Sequence, residues 1–335
     1  MRILSAVLFP LLLCAQSWQP QTSGTKASLR GLCAVDADVV WASGTAGTYL
    51  TTTDGGRSWH AAQVPGAAAL DFRAVHALDR NTAWLLSIGA GDNSRVYKTA
   101  DGGAHWELQF TNPDAKGFFD GLAFWDAAHG ILLGDPVDGR LAVFTTADGG
   151  AHWTRRLTPP AVPGEGAFAA SNTSLALRGR DEVWFATGGP GAARVFHSVD
   201  GGTSWTVVST PIRNDGPAAG IFSIAFRDAV HGIAVGGDYS KPADATANFA
   251  LTSDGGRTWS APTGAPPAGF RSAVAYNAKF RLWIASGTSG TDVSTDDGRS
   301  WKPIDTTGYN ALAFLPDGAG WAAGGSGRIA VFRPQ

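Results

Sequence analysis

The chain has 335 residues, of which 44 are glycine, 16% are charged and 44% are hydrophobic, with a formal net charge of −2. That balance argues against a solvated, charged helical bundle and leaves no electrostatic footprint for nucleic acid or an acidic membrane surface. Past the N-terminus no stretch reaches the roughly 20 apolar residues that span a bilayer, and glycine-rich turns between short apolar strands predict an all-β chain.

The first element reads as an export signal over residues 1–17. Arg2 supplies a positive start, Ile3 to Leu13 form an apolar run interrupted by Pro10, and Ala15 and Ser17 are small residues suited to cleavage. A rival reading makes Cys14 a lipidated residue, although Leu13 before it is large for that processing. Cleavage would leave Cys33 alone in an apolar strand, a buried small hydrophobe with no disulfide partner. The expected location is periplasmic or secreted, with lipoprotein anchoring through Cys14 as the variant.

From residue 18 onward one octet recurs six times. It begins as Thr52-Thr53-Asp54-Gly55-Gly56-Arg57-Ser58-Trp59. It returns at Thr99 to Trp106, Thr146 to Trp153, Ser198 to Trp205, Thr252 to Trp259 and Ser294 to Trp301, with Trp-to-Trp steps of 47, 47, 52, 54 and 42 residues. This is the Asp-box pattern, S/T-x-D-x-G-x-S/T-W. A second column has seven members: Trp41, Trp84, Ile131, Trp184, Ile233, Trp283 and Trp321, each in a short strand before a turn. In the first repeat the strands are expected at Leu29 to Val35, Val39 to Ser43, Thr48 to Thr52 and after Trp59.

The last repeat, Tyr309 to Arg333, has no octet and no fourth strand, whereas Trp18-Gln19-Pro20-Gln21-Thr22 resembles the strand that follows each octet. The two gaps complement each other. We therefore expect residues 18–335 to form one seven-bladed β-propeller of four-stranded antiparallel blades, with the N-terminal strand completing the last blade. Closure removes exposed strand edges. Twelve of the thirteen Trp residues are then blade packing, and Trp125 is the exception.

The six octet aspartates, Asp54, Asp101, Asp148, Asp200, Asp254 and Asp296, sit one per blade. They cannot converge on one ion, so they are read as structural turn residues and no metal is expected. Their repeat resembles that of the photosystem II stability/assembly factor-like family of Asp-box (BNR-repeat) propellers, on Leu29 to Leu32, Val40 to Gly44 and Thr51 to Trp59. That resemblance covers residues 18–335 and implies a seven-bladed propeller that binds a protein client without catalysis. Fold alone does not fix the role, and the longer polar loops of blades two to five depart from the family pattern.

Propeller geometry puts the starts of the inner strands and the loops between second and third strands on one face. Counting eleven positions back from the second-strand column gives Arg30, Arg73, Asp120, Thr173, Phe222, Ser272 beside Arg271, and Asn310. Arg30, Arg73, Asp120, Arg271 and Asn310, with Tyr309, Phe118 and Phe119 beside them, are the candidate channel-mouth site. The same face should carry loop residues Asp92, Arg95, Asp135, Asp138, Arg140, Asp238 and Tyr239. Arginine among aromatics suits a carboxylate, a phosphate, a glycan or a protein tail. The plainer reading is a solvated rim of mutually paired polar groups.

The expected partner is thus a protein client or an extracytoplasmic ligand, on a monomeric scaffold with no cofactor. The alternative is a sialidase-like or other glycoside hydrolase or glycan-binding propeller. A sialidase needs an acidic partner for its tyrosine, and of Glu107, Glu165 and Glu182 only Glu165 is placed to serve. Two-carboxylate hydrolysis could pair Asp120 with Asp135, Asp138 or Asp238. The Gly134-Asp135-Pro136 and Gly188-Gly189-Pro190 turns join strand to strand, which fails the context a dinucleotide fingerprint requires.

Overall fold

A computed structural model describes residues 16–334. Residues 1–15, which carry most of the expected export signal and Cys14, lie outside the described residues. Seven antiparallel sheets follow one another around a ring. The first blade comprises Leu29–Ala34, Val39–Gly44, Thr48–Thr53 and His60–Gln63, within a residue of the strands predicted from the repeat. Gln16–Gln21 pairs antiparallel with Ile329–Pro334, so the N-terminal strand becomes the outer strand of the seventh blade and closes the ring. Blade 5 has three full strands, and Ser260 holds the fourth position through an isolated bridge to Leu251. Pro262, two residues on, has no N–H to continue the ladder.

The second-strand column is the hub of inter-blade packing. Trp41, Trp84, Trp184, Trp283 and Trp321 are all buried, as are Ile131 and Ile233. Trp84 Nε1 donates to the carbonyl of Gly149 at 3.0 Å, and Trp184 Nε1 to that of Gly255 at 3.0 Å. These Trp residues therefore reach from one blade to the octet turn of the next. Trp125, outside both columns, donates to the Glu182 carbonyl of the following blade at 3.1 Å.

Each octet is a self-contained hydrogen-bonded turn. In the first, Thr52 Oγ1 donates to Asp54 Oδ1 at 2.8 Å and accepts from Gly56 N–H at 2.9 Å. Ser58 donates its N–H to Oδ1 at 2.9 Å and its hydroxyl to Oδ2 at 2.5 Å. Gly55 and Gly56 take φ of 71° and 83°, a region open to glycine. Hydrogen bonds from the residue four positions on hold Asp54, Asp101, Asp148 and Asp200 at a pKa of about 2. The buried Thr52 hydroxyl is the pivot. Thr52→Val keeps its shape but strands the Gly56 N–H, so unfolding in urea should show a loss of about 1–3 kcal/mol.

Candidate ligand-binding cavity

Four inner strands share one irregularity. The register shifts between Leu29 and Gly31, Phe72 and Ala74, Phe119 and Gly121, and Ile221 and Ser223. The residue skipped in each case is Arg30, Arg73, Asp120 and Phe222. A bulged residue leaves the ladder and its side chain is re-aimed. All four line one cavity of about 490 Å³ at the channel mouth.

The inner strands of blades 6 and 7 show no such shift, and this moves three expected residues away from the cavity. Arg271 is 1% exposed and paired with Asp292 across blade 6, Nε to Oδ2 at 2.5 Å. Tyr309 is buried against Trp18, ring centroids 5.6 Å apart, and burial first of all raises its hydroxyl pKa to about 12. Asn310 is buried and donates Nδ2–H to the Leu29 carbonyl at 2.9 Å, tying blade 7 to blade 1. Arg271 is thus engaged within blade 6, Tyr309 within blade 7 and Asn310 between blades 7 and 1, and none of the three lines the cavity.

The loop residues divide as well. Asp135 and Tyr239 line the cavity. Asp92 is exposed beside Arg95, whose Nε donates to the Asp92 carbonyl. Asp138 sits at φ 52° in the tight turn that Arg140 follows, and Arg140 donates to the Thr158 carbonyl. Asp238 is buried and accepts from the Ser240 N–H at 2.9 Å.

The floor of the cavity is a segment that no repeat anticipates. Between Arg156 and Leu175 the chain crosses the channel mouth as a strap. Ala169 O accepts from Arg73 of blade 2 at 3.1 Å, and Ala167 N–H donates to Asp135 of blade 3 at 3.0 Å. Ser171 Oγ donates to the Ser272 carbonyl of blade 6 at 2.7 Å, and Thr173 Oγ1 meets Ser223 Oγ of blade 5 at 2.6 Å. Phe168 stacks on Phe222 at 3.9 Å, Phe270 packs edge-on to Phe222 at 4.7 Å, and Tyr239, 54% exposed, completes an aromatic wall. The strap is anchored by Glu165, whose carboxylate is fully enclosed. It accepts from Thr187 Oγ1 at 2.6 Å and from Arg194 Nε at 2.9 Å. That engagement makes Glu165 an anchor of the strap, and it does not line the cavity.

Opposite the aromatic wall lies an unusual set of charges. Arg73 is occupied by Asp71 at 2.9 Å and by the strap. Arg30 has no acceptor among the described residues, and burial, then the neighbouring Arg73, lowers its pKa while Asp71 opposes. Burial pushes the Asp120 carboxyl well above its usual range, Asp135 adds to this, and Arg73 opposes it. Burial also raises Asp135, against the Ala167 N–H it accepts. Asp120 Oδ2 is buried with no partner. The cavity therefore combines a free guanidinium, a carboxyl pair that resists ionisation and an apolar wall.

No protein-family model matches the chain, and no curated protein matches it. Among solved structures, the chain is similar to YCF48 bound to D1 peptide, with a TM-score of 0.68 and 16% identity, over 95% of this chain and 97% of that one. It is also similar to YCF48 from Cyanidioschyzon merolae, with a TM-score of 0.66 and 18% identity, over 95% and 99%. A third is the GH74 xyloglucanase from Xanthomonas campestris, with a TM-score of 0.61 and 15% identity, over 94% of this chain and 53% of that one. At these identities the likeness is one of fold, the seven-bladed β-propeller.

Proposed function

We propose that the chain is a non-catalytic propeller that binds a segment of another protein in the axial cavity. The carrying observation is the convergence of bulged residues from four blades on one cavity with an aromatic wall, while the opposite face is given over to repeated turns. Arg30 offers a guanidinium without an acceptor among the described residues, suited to a carboxylate, and Phe168 and Tyr239 offer apolar surface beside it. YCF48, similar in fold, has been captured with a D1 peptide, and this favours a peptide as occupant. The reading includes an exported protein, released by cleavage near Ala15 or held by lipid at Cys14.

A two-carboxylate hydrolase is the second reading, favoured by the raised carboxyls of Asp120 and Asp135 in a concave site. Access argues against it. A general acid must touch the atom it protonates, and Asp120, although it borders the cavity, is 1% exposed, its carboxyl enclosed by Asp135, Arg73 and the strap backbone.

The test uses Arg30→Glu/Tyr239→Ala, since neither side chain is a tie of the fold. Photo-crosslinked partners from the native envelope should fall at least ~10-fold, about the value of one charge-assisted contact, with the unfolding midpoint unchanged. Undiminished capture rejects the cavity as the site. Hydrolysis from a glycan panel that Asp120→Asn abolishes would replace binding by catalysis.

A further inference from the structure

The strap raises a question that ligand binding alone does not answer: why a chain with a charge of −2 places two carboxyls against the segment that floors its cavity. Asp135 accepts the Ala167 N–H, and the Ala169 N–H faces the Asp120 carboxyl. The two N–H groups lie two residues apart on the strap, beside the turn in which the Ala170 N–H donates to the Phe168 carbonyl at 2.9 Å, so both carboxyls hold the same short segment. The groups facing Asp120 are Asp135 on the next strand of its own blade, Arg73 on the inner strand of blade 2, and the strap backbone. Arg73 is already committed to Asp71 and to the Ala169 carbonyl, and Arg30 stands behind it. Asp120 Oδ2 is left without a partner.

We propose that the strap is a proton-operated closure of the axial cavity, shut while Asp120 carries its proton and released when Asp120 and Asp135 are both ionised. The strap N–H groups favour ionised carboxyls but burial outweighs them, and a neutral Asp120 still accepts the Ala169 N–H while burying its unpartnered Oδ2 at modest cost. Two carboxylates side by side under the strap repel each other and lack water, and only a shared Arg73 compensates them. Lifting the strap restores water to both. The sign follows from linkage. A carboxyl whose proton is held more tightly in the closed state stabilises closure fully below its ordinary pKa, and that stabilisation is lost as pH rises through the raised value. Opening would move Phe168 off Phe222, dismantle the aromatic wall and break the Ser171–Ser272 tie across the channel. The proposal rests on the cavity being the binding site only for its biological meaning; the strap's motion is read directly.

The experiment is hydrogen–deuterium exchange of the full chain, followed on peptides covering residues 165–173 between pH 5 and pH 8 and corrected for intrinsic exchange. One linked proton changes an opening equilibrium by up to about tenfold per pH unit, so wild-type protection should drop at least ~10-fold across the range. Asp120→Asn should flatten that dependence and keep the strap protected at pH 8. Asp135→Asn, which removes the neighbouring charge that raises Asp120, should shrink the dependence and bring its upper end to lower pH. Wild-type protection that is flat with pH overturns the proposal, as does an unchanged dependence in Asp120→Asn. Because no partner is used, a failure here is separate from a failure of the binding assay.

Discussion

Replacing Trp18 by alanine should lower the unfolding free energy by about 3–5 kcal/mol, the range for deleting a large buried aromatic side chain. Trp18 is the one aromatic residue contributed by the closing strand. It packs against Tyr309 at 5.6 Å, Phe314 at 6.0 Å and Phe332 at 5.3 Å. Its Nε1–H donates to Thr291 Oγ1 of blade 6 at 3.2 Å, so it also ties the closing strand to the neighbouring blade. Trp18→Phe keeps most of the apolar contact and loses that hydrogen bond, so its cost should be nearer 1 kcal/mol. Removing the closing strand altogether should do more than destabilise. It would bare the edge of Ile329–Pro334, and an unpaired apolar edge is a template for association. Urea unfolding of the two Trp18 variants, with light scattering of the strand deletion, would check the three outcomes. Equal stability of wild type and Trp18→Ala would mean that the ring does not depend on this closure.

The fold was legible because a propeller repeats its packing problem seven times. Each blade needs a large residue on its second strand to fill the wedge between blades, and a turn able to bring the chain back, so Trp41 and Asp54 recur in phase. The site was legible only where the repeat carried a second regularity. Counting back from the Trp column found Arg30, Arg73, Asp120 and Phe222 because those four blades bulge at the same step. The same count gave Ser272 and Asn310, with Arg271 and Tyr309 beside them, yet no bulge turns them into the channel. The register shift itself leaves no mark in residue identity. The strap was not legible at all. Ala167-Phe168-Ala169-Ala170-Ser171 has no periodicity, and its path is fixed by contacts with blades 2, 3, 5 and 6 that lie as far as 101 residues away. What could have pointed to it is the run from Arg156 to Leu175, too long for a simple connection between blades.

The misplaced arginine makes the sharpest prediction. Read as a channel-mouth residue, Arg271 would be a surface group whose loss weakens binding and leaves stability alone. In the structure it is 1% exposed and Asp292 is fully buried. Its guanidinium also donates to the Phe270 carbonyl at 2.8 Å and Ser289 Oγ at 2.9 Å, and among the described residues Asp292 otherwise receives only the Ala268 N–H at 3.3 Å. Arg271→Ala therefore leaves a buried carboxylate almost alone, and removing one partner of a buried pair costs about 3–5 kcal/mol. The double variant Arg271→Met/Asp292→Leu removes both charges while keeping apolar volume, and should recover most of that loss, since a buried pair pays for its own desolvation only in part. Denaturant unfolding of the single and double variants separates the two descriptions. A single variant that unfolds within about 1 kcal/mol of wild type, the ceiling for a surface ion pair, would return Arg271 to the solvent face. With the larger loss, any binding defect of an Arg271 variant reports a weakened blade 6, and Arg30 is left as the arginine through which the cavity can be tested without disturbing the fold.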